Sequence, residues 1–131
     1  MPAIVVTALL FVLLTAQASL AAVRHAKPAA TGNGDCFSWD DACTLQTALS
    51  SAVFGDEIWV AEGIHTPGTL RTDTFALKSG VGVYGGFDGT ESARAERDPD
   101  ANLTVLSGDI DGDDSQIPIV TDLDTVAGND N

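Results

Sequence analysis

The sequence predicts an all-β fold, a right-handed parallel β-helix (a solenoid of about three coils) with an N-terminal capping α-helix. Two observations carry this prediction: short apolar segments recur with a period of 23 residues, and a helical pattern stands before them. A fixed period in the twenties is typical of solenoids, in which each coil lays a strand parallel to the last. Because parallel crossovers are overwhelmingly right-handed, the period also predicts the hand.

The recurring segments are residues 58–63, 81–86 and 104–109. In each of them the first and third residues are β-branched or aliphatic, so each segment is predicted to be a short strand that buries one face. The first residues are Ile58, Val81 and Thr104, and the third residues are Val60, Val83 and Leu106. Trp59 alternates with these positions and should point the other way, toward solvent or a covering segment.

A helix is predicted within residues 35–55, the cap of the fold. Ser38 followed three residues later by Asp41 matches a capping box, and Gly55 is typical of a helix end. One face has helical spacing, with Leu45, Ala48, Leu49 and Ala52. Such a helix would cover the open edge of the first coil. Trp39 is assigned to the packing of this cap and not to a ligand site.

The segments between the strands carry further expectations. Residues 74–78 should form a second face of the first coil, with Phe75 and Leu77 inward, and His65 should lie in a turn. Residues 88–102 are charged and poor in large apolar side chains, which indicates an excursion from the coil.

The N-terminus divides into two predicted segments. Residues 1–22 read as a secretory signal peptide because a short apolar run is followed by small residues, although no basic residue precedes the run. A retained membrane anchor is the other interpretation of this run. Residues 23–34 should be a flexible arm, and residues 56–131 the first coils of a β-helix truncated at its C-terminus.

The formal net charge of −13, with 19 acidic and six basic side chains, disfavours nucleic acid and anionic membranes as partners. A membrane would be contacted only through the leader or through a missing C-terminal anchor. The two cysteines, Cys36 and Cys43, are predicted to form a disulfide, as expected of an exported chain. Closing so small a loop would add roughly 2–3 kcal/mol to stability.

One acidic cluster suggests a metal site. Alternating carboxylates are ligands that Ca²⁺ prefers, and they occur here at Asp109, Asp111, Asp113 and Asp114. The spacing of an EF-hand is not met, and a plain acidic turn is the competing interpretation. No set of residues with a catalytic pattern is found.

Several motifs together resemble a known family. They are Ser38-Trp39, Leu45-Gln46-x-Ala48-Leu49, residues 55–63, Tyr84-Gly85-Gly86-Phe87-x-Gly89-x-Glu91 and residues 106–110. In this order they are similar to the N-terminal cap and first coils of bacterial exported β-helix repeat proteins of the pectate-lyase-like superfamily, such as the polymorphic outer-membrane proteins. The resemblance implies the β-helix fold and a secreted or cell-surface location, at the bacterial outer membrane or outside the cell.

The resemblance leaves two functions open. The first is a structural, adhesive or glycan-interacting segment, without a catalytic site, that contacts polysaccharide or host-surface glycans. The second is the cap of a carbohydrate-active enzyme, a lyase or a hydrolase, whose active site lies on later coils. In either case the exposed C-terminal coil edge, residues 104–110 or 117–120, is expected to favour self-association.

Overall fold

The computed structural model describes residues 20–112 of the 131-residue chain. Its elements are five short strands, one α-helix and one 3₁₀ turn. In chain order they are β1 (Val23–Ala26), α1 (Leu45–Ser51), β2 (Glu57–Ala61), β3 (Gly63–His65), β4 (Gly82–Phe87), the 3₁₀ turn (Arg94–Glu96) and β5 (Thr104–Leu106). The residues predicted to form the signal peptide and residues 113–131 lie outside this description, except for residues 20–22.

The strands form two parallel sheets. The larger sheet has the order β1-β2-β4, and the smaller one pairs β3 with β5. Thr104 joins them, since its hydroxyl accepts from the Gly86 N–H (3.0 Å) and lies 3.3 Å from the carbonyl oxygens of Val60 and Ala61. The smaller sheet is therefore fixed at the point where β2 and β4 end.

One face of the larger sheet packs against α1. Ile58 and Val60 of β2 are fully buried there, and the helix contributes the four residues that the sequence pattern predicted, Leu45, Ala48, Leu49 and Ala52. Because each large aliphatic side chain contributes roughly 1.5–3 kcal/mol on burial, this contact is a main source of stability. The predicted helical face is confirmed.

The helix ends differ from the predicted ones. Thr44 is the N-cap, and its hydroxyl accepts from the Thr47 N–H at 3.3 Å. Ser38 and Asp41 do exchange hydrogen bonds, but in a turn ahead of the helix. At the C-terminal end, the Lys78 ammonium donates to two free carbonyls, those of Ser50 (2.6 Å) and Ala52 (3.0 Å), which is the favourable charge for this end of a helix.

The other face of the larger sheet is covered by aromatic side chains. Trp59 stacks on Phe87 with a centroid distance of 5.0 Å, and Trp39 lies 5.7 Å from the same ring. His25 contacts both tryptophans edge-on, at 4.6 and 5.6 Å. The indole N–H of Trp39 donates to the Glu91 carbonyl (2.9 Å), so residues 88–102 are tied down over this cluster. Trp59 thus points toward a covering segment, one of the two predicted alternatives.

The predicted fold class is wrong. The described residues form an open three-stranded parallel sheet, a separate two-stranded pair and one helix, with no closed or solenoid sheet among them. The 23-residue period does not match the pairing: Ile58 lies opposite Val83 instead of Val81, and Thr104 lies opposite Gly63 in the other sheet. Connections of unequal length between the strands set this register, and the side-chain pattern alone did not encode it.

Three local expectations also differ from the structure. Residues 23–26, assigned to a flexible arm, form strand β1. Residues 74–78 form no strand, and Leu77 is 70 % exposed while Phe75 packs partly against the core. His65 lies in β3 and is buried instead of lying in an open turn. In each case tertiary contacts decided the local structure.

Substitution of Leu49 should measure the helix–sheet contact. Leu49 is 2 % exposed within the core, so Leu49→Ala should lower the free energy of unfolding by about 2–5 kcal/mol in urea melts followed by circular dichroism. Leu77→Ala is the matched control and should change stability by less than about 0.5 kcal/mol. Equal losses in the two variants would contradict the assigned core.

Candidate functional site

A cleft of about 220 Å³ opens between the start of α1 and the segment that follows β3. Its polar lining includes the threonines Thr44, Thr66 and Thr69, and its apolar lining includes Pro28, Leu45 and Pro67. Clefts for drug-sized ligands are typically about 300–1,000 Å³, so this one is suited to a single ring-sized unit.

The two walls of the cleft are held by different parts of the fold. Thr44 is the N-cap of α1, and Leu45 is anchored in the core beneath it. On the opposite wall, the Asp73 carboxylate accepts from the N–H groups of Thr69 (3.0 Å) and Leu70 (2.9 Å). The cleft is therefore positioned by the helix–core contact on one side and by an acid-capped turn on the other.

His65 is the ionisable side chain among the residues that line the cleft. It is 2 % exposed, and its Nε2 lies 2.9 Å from the Ala61 carbonyl oxygen, to which it donates. Burial lowers the pKa of His65, and the bond to Ala61 offsets this only in part. The side chain is thus held neutral near pH 7 and with one nitrogen engaged, which is a poor arrangement for a general base.

Gln46 supplies a further polar group to the cleft wall. Its amide nitrogen donates to the Thr74 carbonyl at 3.0 Å. Its Oε1 is buried and has no hydrogen-bond partner within residues 20–112. A buried acceptor without a donor costs roughly 1–3 kcal/mol.

The predicted calcium ligands are only partly described. Asp109 follows β5, and its Oδ1 accepts from the Gly112 N–H at 2.7 Å, which closes a tight turn. Asp111 is exposed, whereas Asp113 and Asp114 lie outside the described residues. Within residues 20–112 no group of three or more His, Cys, Asp or Glu side chains is placed to hold a metal ion. The calcium site and the plain acidic turn both stay predictions.

The predicted disulfide is confirmed. Cys36 and Cys43 are joined and buried, with Cα atoms 4.8 Å apart. The bond closes a loop that packs along β1 and carries Trp39 into the aromatic cluster. The sequence predicted this bond, but it did not indicate that the loop lies along the edge of a strand.

The cleft residues were missed at the sequence level, and the reason is physical. Threonines, prolines and glycine after a strand are typical of any turn. The burial of His65 among them became evident only from the structure. Nothing in the local pattern indicated that this turn would face the N-cap of α1.

Comparisons with family models, with curated proteins and with solved structures found no match for this chain. The family resemblance drawn from its motifs is therefore untested by these comparisons. No helix in the described part of the chain is long and apolar enough to cross a membrane.

The buried His65 and the half-buried His25 predict a loss of stability in mild acid. Burial lowers the pKa of His25, partly offset by its bond with the Cys36 carbonyl, and lowers that of His65. Below about pH 6.5 the unfolded chain therefore binds more protons than the folded chain, and stability falls as the pH falls. Urea melts between about pH 7 and pH 5 should show this fall.

The variant His65→Gln tests the assignment of this effect. Its amide keeps a donor for the Ala61 carbonyl but does not titrate, so stability should depend less on pH in this range. The His25→Gln variant should likewise make the free energy of unfolding depend less on pH. Identical slopes in wild type and in both variants would show that other groups cause the acid response.

Proposed function

We propose that this chain is a segment of an exported, cell-surface protein with a structural or adhesive role, and that its cleft contacts a sugar unit of a polysaccharide or surface glycan. The observation that carries the proposal is the lining of the cleft, which brings the hydroxyl-bearing Thr44, Thr66 and Thr69 together with the rings of Pro28 and Pro67. A pyranose ring offers hydroxyl groups at its rim and C–H groups on its faces, and this lining complements both.

The disulfide supports the exported location, and the net charge indicates the kind of ligand. Disulfides persist in oxidising compartments, and the Cys36–Cys43 bond is buried in the fold. A net charge of −13 favours a neutral or cationic partner over an anionic one. We therefore propose a neutral glycan in preference to a uronic-acid polymer.

The lining of the cleft favours binding over catalysis. Glycoside hydrolysis uses a pair of carboxylates that face each other across the scissile bond. Among the described residues that line this cleft, His65 is the ionisable one, and burial lowers its pKa so that it is neutral near pH 7. We therefore assign the cleft a binding role in which hydroxyl groups and apolar contacts select the ligand.

Glycan binding can be tested with the hydroxyls that line the cleft. Wild-type protein is screened on an array of neutral and acidic glycans, and hits are quantified by titration calorimetry. The double variant Thr66→Val/Thr69→Val should weaken binding about tenfold, since two hydrogen bonds contribute roughly 0.5–1.5 kcal/mol each. Thr72→Val removes an exposed hydroxyl outside the cleft and should bind as wild type does.

Two outcomes would contradict the proposal. The first is that no neutral glycan binds the folded chain, and the second is that the cleft variant binds as tightly as the Thr72→Val control. Circular dichroism of each variant verifies that the comparison concerns folded protein.

A further inference from the structure

The outer edge of strand β1 is covered by the disulfide-closed loop of residues 35–43, here named the edge loop. His25 donates its N–H to the Cys36 carbonyl (2.7 Å), and its own carbonyl accepts from the Cys43 N–H (3.1 Å). The Lys27 N–H donates to the Cys43 carbonyl at 2.9 Å. These bonds occupy the groups that an edge strand would otherwise present to another chain.

Strand β4 forms the opposite edge of the same sheet. The Gly82 N–H donates to the Asp56 carbonyl, so the alternation of a parallel ladder directs the backbone groups of Val83 away from β2. Farther along, the carbonyls of Gly85 and Gly86 accept from Arg97 and from the backbone of residue 98. The part of this edge that can pair with another strand is the first half of β4.

We propose that the edge loop is an intramolecular guard, held in place by its disulfide, that prevents head-to-tail assembly of this chain. In such an assembly β4 of a second copy would lie beside β1. All strands of the sheet are parallel, so the added β4 would continue the same strand direction. A contact between two different edges is heterologous and need not close, so it would grow beyond a dimer. This proposal is independent of the ligand of the cleft.

The loop depends on its tertiary contacts to stay on the edge. Cys36 has a φ of 71°, a left-handed conformation that costs roughly 1–2 kcal/mol for a residue with a side chain. Local preference therefore opposes the observed loop conformation. The disulfide and the packing of Trp39 on His25 and Phe87 hold it in place.

The edge loop can be released from β1 in two ways. A dithiol reductant transfers two electrons to the Cys36–Cys43 bond, two protons complete the two thiols, and the reductant becomes a cyclic disulfide. The double variant Cys36→Ala/Cys43→Ala reaches the same state without a reductant. If reduction and the double variant give the same assembly, its cause is release of the edge loop and not the alanine substitutions themselves.

The assembly is measured by analytical ultracentrifugation over a range of chain concentrations. The oxidised wild type should keep the mass of one chain, whereas the mass of the double variant should at least double and continue to rise with concentration. Adding Lys27→Pro to the double variant removes an N–H that points away from β2, and it should restore the mass of one chain. Assembly by the oxidised wild type, or assembly unaffected by Lys27→Pro, would overturn the proposal.

Amide hydrogen exchange distinguishes release of the edge loop from unfolding of the whole double variant. In the dilute double variant the amides of His25 and Lys27 should lose protection while those of β2 keep it, and concentration should restore it. Protection that never changes at His25 would mean that the disulfide does not hold the loop. Loss of protection in β2 as well would mean that the loop holds the fold together. Either result contradicts the guard, as does exposure of His25 without assembly.

Discussion

The buried carboxylate of Asp56 is the group on which the arrangement of the other elements depends. It is 2 % exposed and accepts three hydrogen bonds, from the Ala22 N–H (3.0 Å), the Val53 N–H (3.0 Å) and the Arg24 guanidinium (3.1 Å). Burial raises the pKa of Asp56, but these bonds and the charge of Arg24 outweigh that effect and leave the pKa below its ordinary value. The carboxylate therefore stabilises the fold when ionised, and this contribution is lost as the pH falls below about 4.

The contacts of Asp56 position both of the proposed functional features. Through Arg24 it fixes β1 beside β2, and β1 in turn carries the edge loop. Through Val53 it fixes the chain that leaves α1, and the first residues of α1 form one wall of the cleft. Its backbone carbonyl also accepts from Gly82, at the start of β4. A single acidic residue thus links the sheet register to the cleft and to the guarded edge.

The sequence allowed part of this structure to be predicted. The buried face of α1, the apolar positions of β2 and the Cys36–Cys43 bond followed from periodicity and from cysteine number. The register did not, because strands of three to six residues have few distinguishing side chains and long-range contacts decide their pairing. Strand β1 was missed because four residues containing Arg24 and His25 carry no strand pattern. Asp56 was missed because an acid before a strand, in so acidic a chain, usually indicates a solvated turn.

The most direct test of this account is the stability of Asp56→Asn. The variant keeps the volume of the side chain but removes the charge that pairs with Arg24 and turns one acceptor into a donor facing N–H groups. Urea melts at pH 7 should show a loss of about 3–5 kcal/mol, as expected for a broken buried pair. Arg94→Ala, which breaks the half-exposed ion pair with Glu57 (2.7 Å), is the control and should cost about 1 kcal/mol or less. An Asp56→Asn variant as stable as this control would contradict the central place given to Asp56.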